Sequence, residues 1–177
     1  MAAFDNQISN RNFLSPIGFK FNLTKIPKVD MFCNYARLPE ISLGTAIQTT
    51  FLKDIELPGD KLTYGDLNLR FLIDENLENY LAVHNWMRGL GTPESNQEYA
   101  DLLTNEEGVK EEQLERSDGT LHILNSNYNT VAIVNFRDLF PVSLTSMDFE
   151  ADDDATNYLT AEVTFKYTIY DITMPAV

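Results

Sequence analysis

A single cysteine, Cys33, and two histidines, His84 and His122, are the only thiol and imidazole groups in 177 residues. An internal disulfide is impossible, and thiolate or histidine metal cages and nucleophilic triads have almost no material. One unpaired thiol also fits synthesis in a reducing cytoplasm. Eight glycines and seven prolines are too few for a collagenous or linker-like chain. No apolar run approaches about 18 residues, so no helical membrane span is expected. The start, MAAFDNQISNRNFLSPIGFKFNL, lacks a basic segment followed by an apolar one, so no secretory signal is expected. Basic residues are scarce too: 13 Lys and Arg stand against 27 Asp and Glu, a formal charge of −14. That balance disfavours a protein that clamps phosphates. It does not disfavour one past which DNA moves without sticking.

What is present is enough apolar material for a core. The chain is 44% hydrophobic, with 11 Phe, 8 Tyr and 1 Trp, and its length suits one globular domain over residues 1–177. The negative charge is localised. Residues 94–118 hold nine acids and two bases, and residues 148–154 hold five acids and no base, so these two stretches carry 12 of the 14 excess charges. A calcium loop starting at Asp148 fails on spacing: its sixth position is Asp153 rather than Gly, and its twelfth is Leu159 rather than Glu. A solvated acidic turn and a solvated surface insertion are the readings adopted.

Alternation of period two dominates, the signature of strands with one buried face. Ile17, Phe19, Phe21 and Leu23 share a face, as do Leu67, Leu69, Phe71 and Ile73. At the C-terminal end, Leu159, Ala161, Val163, Phe165, Tyr167 and Ile169 alternate with Thr160, Glu162, Thr164, Lys166, Thr168 and Tyr170. One strand over that stretch would run roughly 40 Å. Further strands fit 31–37, 47–57, 121–124, 130–137 and 142–149. Asp118-Gly119 has the chemistry of a tight hairpin turn, residues 125–129 form a second turn, and Leu38-Pro39 and Phe140-Pro141 mark points where the ladder must break or run along an edge.

One helix is expected, capped by Asp74 and ended by Gly89. Leu77, Tyr80, Leu81, Val83 and Met87 form its apolar face, with His84 inside that stripe as a core histidine; His122, in a strand, reads the same way. Trp86 falls on the opposite side, packed either under a loop of its own chain or against a neighbour. Catalytic motifs are missing: Arg88-Gly89-Leu90-Gly91 lacks the strand and Lys-Ser/Thr of a phosphate loop, and neither a Gly-x-Ser-x-Gly elbow nor a His-Glu-x-x-His helix occurs. Neither enzymatic activity nor a cofactor is expected.

Several strings in order resemble the tail tube family of contractile-tailed bacteriophages, which includes the main tube subunit and the baseplate proteins that initiate the tube. They are Asn12-Phe13-Leu14-Ser15-Pro16 before the first strand, and Leu57-Pro58-Gly59-Asp60-Lys61-Leu62-Thr63-Tyr64 before Leu67-Asn68-Leu69-Arg70-Phe71. Asp74 with the Tyr80–Trp86 helix follows, then Phe140-Pro141-Val142-Ser143-Leu144 before Met147-Asp148-Phe149, and the strand Glu162-Val163-Thr164-Phe165-Lys166-Tyr167. The similarity covers roughly residues 12–90 and 119–172. Residues 92–118, an acidic insertion, and residues 1–12, an N-terminal arm, depart from the common pattern.

The resemblance implies a mainly β (α+β) fold: an antiparallel β-sandwich or partial barrel with one helix, joining six-fold into a shared β-barrel ring. Rings would stack into a virion tail tube that admits DNA transiently, with sheath, baseplate or terminator proteins as further partners and no membrane insertion. Leu57, Pro58, Gly59, Tyr64, Trp86, Phe140 and Pro141 are then candidate interface residues. Thr160, Glu162, Thr164, Lys166 and Thr168 would face the lumen or a neighbour, and a lumen poor in exposed Arg and Lys is expected. A tube-initiating baseplate ring, a terminator ring and an exported secretion-system tube remain alternatives, as does, from another class, a small ligand-binding β-barrel.

Overall fold

A computed structural model describes residues 14–25, 33–104, 115–149 and 158–175. Among these, the order is β1 (Phe19–Leu23), β2 (Cys33–Arg37), β3 (Ile41–Gln48), β4 (Ile55–Tyr64), β5 (Leu67–Leu72), α1 (Glu78–Gly91), α2 (Asn96–Thr104), β6 (Ser117–Leu124), β7 (Thr130–Leu144), β8 (Thr160–Lys166) and β9 (Ile169–Thr173). All strand pairs are antiparallel. Two four-stranded layers share β7: its first part lies between β6 and β9, with β1 beyond β6, and its last part begins the order β7-β8-β5-β2. A separate ladder, β3-β4, stands apart from both.

The expected alternation builds the core directly. Phe21 and Leu23 on β1, Leu67, Leu69 and Phe71 on β5, and Ala161, Val163 and Phe165 on β8 are buried in one cluster with Val134, Phe136 and Leu139 of β7. Phenylalanines from four strands fill the space between the layers, so the sandwich interior is packed side chain, at the density that burial of apolar surface favours.

The expected 40 Å strand does not form: β8 ends at Lys166, and β9 starts at Ile169 in the other layer. The Thr168 N–H donates to the Arg137 carbonyl at 3.0 Å. At the same level β7 makes the reverse crossing, with Asp138 at φ 58° and a register shift between Pro141 and Ser143. Two twisted layers cannot share one straight strand, so both chains turn a corner together. Phe140-Pro141 takes the second of the two expected forms: β7 runs through it along the edge of the β7-β8-β5-β2 layer, and the proline sits beside the bulge, where its missing N–H does little harm.

Two further expectations change. Residues 47–57 are not one strand but the outer part of the β3-β4 hairpin, whose turn is closed locally: the Thr50 hydroxyl accepts the Lys53 N–H at 3.3 Å and donates to the Lys53 carbonyl. Asp118-Gly119 is no turn either; it lies inside β6. A Cβ on Gly119 would sit 3.0 Å from the Phe21 ring and collide with the Leu139 side chain, so glycine there serves packing. The turn at 125–129 does join β6 to β7, with Asn125 Oδ1 accepting from the N–H groups of Asn127 and Asn129 at 2.9 and 3.0 Å.

The expected helix is present but begins later. Leu77, at φ 58°, is its N-cap. Asp74 instead closes the preceding turn, accepting the Asn79 N–H at 3.3 Å. Its buried face is Asn79, Val83, Trp86 and Gly89, rotated from the expected stripe: Leu81 and His84 are exposed, so His84 is not a core histidine. Burying the indole outweighs burying Leu81, because the larger ring removes more area from water. A second helix, α2, forms within the acidic insertion where a connection was expected. Its start is tied to α1 by Arg88, which bonds Glu94 at 3.0 Å and also Glu98. The arm 1–12, residues 105–114 of the insertion and residues 150–154 of the acidic turn lie outside the described residues.

Candidate assembly interface

The β3-β4 hairpin carries apolar side chains that the described residues of the subunit leave uncovered. Every residue of β3 is exposed. Leu43 stands opposite Leu62 across the ladder and Ala46 opposite Leu57, while Phe51 and Leu52 in the turn are 102% and 92% exposed. Gly44 and Gly59 face one another at a register shift; a Cβ on Gly59 would collide with the Gly44 carbonyl. This close approach lets the ladder stay paired through the irregularity.

An aromatic cluster fixes the base of the hairpin. Tyr64 packs edge-on against Tyr167 and Tyr170, at 6.1 and 5.5 Å between ring centroids, and Phe136 lies 5.2 Å from Tyr167. The Tyr170 hydroxyl donates to the Pro39 carbonyl at 3.1 Å, and the Gly65 N–H donates to the Glu40 carbonyl at 3.0 Å. Burial pushes both phenols above the usual tyrosine range, Tyr167 strongly. The Tyr167 hydroxyl is buried and finds no hydrogen-bond partner among the described residues.

The seven candidate interface residues do not form one patch. Leu57 and Pro58 are exposed and Gly59 is half-buried on the hairpin; Tyr64 sits at its anchored base. Phe140 is half-buried and Pro141 buried, where β7 meets β8. Trp86 is corrected outright: it is 2% exposed, inside the subunit's own core, and cannot reach a neighbour. Its Nε1–H donates to the Glu115 carbonyl at 3.0 Å, and the Lys25 ammonium lies 5.1 Å from the ring. It thus takes the first of the two alternatives, packed within its own chain. Ile41, Leu43, Ile47, Phe51, Leu52 and Leu62 were not among the interface residues expected from the sequence. The adjacent pair Phe51-Leu52 in a polar turn was the available signal.

The polar face of β8 is where the alternation put it. Thr160, Glu162, Thr164 and Lys166 point away from buried Ala161, Val163 and Phe165, while Thr168 is exposed at the corner between β8 and β9. The Thr164 hydroxyl bonds Asn68 Oδ1 at 2.9 Å, and Lys166 Nζ lies 2.5 Å from Asp66. Among the described residues, β2 pairs only with β5, and residues 140–144 of β7 pair only with β8. Among the described residues, the β7-β8-β5-β2 layer therefore ends in an open edge on each side.

The sequence profile of the family described as phage tail tube protein matches residues 3–173. The tail tube terminator protein of Enterobacteria phage T4 is 29% identical over 116 residues, covering 65% of this chain and 60% of that protein's length. In fold, the chain resembles the tube-terminating cap of the anti-feeding prophage, with a TM-score of 0.67 over 99% of this chain and 100% of that one at 15% identity. It also resembles the sheath-tube complex of the PVC extracellular contractile injection system, with a TM-score of 0.60 over 93% and 94% at 16% identity. The chain belongs to the phage tail tube protein family: it is a structural tail protein and not an enzyme.

Proposed function

We propose that this protein forms a homo-hexameric ring of a contractile tail tube, and that the ring terminates the tube. The observation that carries the assembly is the β3-β4 hairpin, an apolar arm that none of the described residues of its own subunit covers. An uncovered apolar patch of this kind marks a protein interface, and a patch that fits a different surface of the next copy forms a ring when the rotation between copies closes. The open edges of β2 and of residues 140–144 allow adjacent β7-β8-β5-β2 layers to continue into one barrel, which removes exposed edges. The terminal position is supported by the relation to the T4 tail tube terminator. Partners are then the last tube ring, the sheath and the DNA that passes through. A second reading, the repeated tube subunit, is favoured by the description of the family itself.

Epitope-tagged protein incorporated into assembled tails and labelled with gold tests both. Label at one end of each tail supports the terminator. Label along the whole tube selects the repeated subunit, and tails without label reject both.

A further inference from the structure

The β3-β4 hairpin joins the sandwich through two short connections. Residues 38–40 lead in from β2 and residues 65–66 lead out to β5, and β2 and β5 are paired neighbours in one layer. The bond from the Gly65 N–H to the Glu40 carbonyl ties the two connections to each other. These links lie side by side at the end of β2 and β5, so by themselves they form a hinge line about which the ladder can swing. The tie off that line comes from the other layer. Tyr170 of β9, 8% exposed, donates its hydroxyl to the carbonyl of buried Pro39 at 3.1 Å. Tyr64 also meets Tyr170 and Tyr167, at 5.5 and 6.1 Å between centroids, but edge-on ring contacts tolerate sliding that a directional hydrogen bond does not.

We infer that Tyr170 is a positioning residue for assembly: its hydroxyl, by holding the Pro39 carbonyl, fixes the angle at which the β3-β4 arm leaves the subunit. The inference rests on the ring reading above. The arm is long enough for that angle to matter. β4 has ten residues, which at about 3.3 Å per residue gives a lever of roughly 30 Å. A swing of about 10° at the base then carries Phe51 and Leu52 about 5 Å sideways, beyond the roughly 4 Å at which apolar side chains touch. Both tip residues would miss the surface they are meant to meet. An arm held in one direction before docking also has less freedom to lose on binding, which favours association. The bond costs the tip nothing in exposure, because it acts at the base and leaves Phe51 and Leu52 free for the partner.

The test measures the direction of the arm and the yield of rings separately. Spin labels on Lys53→Cys at the arm tip and Glu75→Cys on the body, in a full-length Cys33→Ser background, report the spread of tip-to-body distances in the monomeric fraction by pulsed electron paramagnetic resonance. Three proteins are compared: the labelled parent, the same protein with Tyr170→Phe, which keeps the ring and removes the hydroxyl, and the same protein with Tyr80→Phe, which removes a hydroxyl bond to the Thr145 carbonyl at 3.4 Å on helix α1. Tyr170→Phe should broaden the distance distribution clearly, while the parent and Tyr80→Phe stay narrow and alike. Ring yield of the unlabelled Tyr170→Phe protein in negative stain should fall about fivefold or more, the ratio that one net hydrogen bond supports. A distribution as narrow as the parent's, or one that Tyr80→Phe broadens equally, overturns the inference, and so does a broadened arm that still gives full ring yield. Absence of rings from the wild type counts against the ring reading instead, and the distance distributions read the aim of the arm in either case.

Discussion

The sandwich and the β3-β4 hairpin are built from the same kind of residues and end in opposite environments. In β5 and β8 every second residue is buried, and Leu67, Leu69, Phe71, Val163 and Phe165 lose all contact with solvent. In the hairpin, Ile41, Leu43, Ile47 and Leu62 remain exposed on a ladder that packs against no other sheet. A two-stranded ladder alone is marginally stable in water; this one is held at its base by the tyrosine cluster and the Gly65–Glu40 bond. Apolar content therefore does not by itself specify the interior of a subunit. In an assembling protein part of it is reserved for the next subunit.

Three variants would break or sharpen this contrast. Trp86→Ala should have the largest effect on the folded subunit. It removes a buried indole packed near Phe165 and its bond to the Glu115 carbonyl, for a loss of about 3–5 kcal/mol in urea unfolding. A loss below about 1 kcal/mol would take Trp86 out of the core.

Tyr167→Phe probes the join between the two regions. Burial raises the phenol's pKa above its unfolded value near 10. The folded state therefore holds the proton more tightly, and stability is fully present below about pH 10 and falls as pH rises beyond it. Removing an unpaired buried hydroxyl should leave stability at neutral pH unchanged or higher by up to about 1 kcal/mol, and should flatten that alkaline loss. Urea midpoints of both proteins at pH 7, 9 and 10.5 check this, and a destabilised variant at pH 7 would mean the hydroxyl has a partner.

Phe51→Ser/Leu52→Ser should have the smallest effect on the subunit, within about 0.5 kcal/mol, since both side chains already meet water. It should nevertheless abolish rings in negative-stain images. Intact rings would show that the tip is not an assembly contact.

How much was legible follows from the range of the forces involved. The faces of β1, β5 and β8 could be read because burial on one side of a strand imposes a local period. The turn at 125–129 could be read because asparagine side chains close it without outside help. Asp118-Gly119 misled because a glycine required by the Phe21 and Leu139 side chains is identical in sequence to one required by a turn. The helix stripe misled because Trp86 and the bonded amide of Asn79 are drawn inward by partners outside the helix: Glu115, well beyond it, for the indole and Leu72, at the end of β5, for the amide. Of the candidate sites, the polar face of β8 was readable as a period. The hairpin tip was not, since exposure of Phe51 and Leu52 is a property of what fails to pack on them.

The sequence by itself determined the strand-rich class, the core faces of β1, β5 and β8, the place of the excess negative charge and the lack of the familiar catalytic motifs, because these depend on residue type and short spacing. Only the tertiary structure decided that the long C-terminal alternation turns a corner with β7, that Trp86 belongs to the subunit interior, and that the hairpin stands clear of the core. Those outcomes depend on which surfaces meet across dozens of residues. The cations of the β7-β8-β5-β2 face show the same division: composition counts them, but the register of β5 with β8 sets Glu162 opposite Arg70, and the fold brings Asp66 to Lys166.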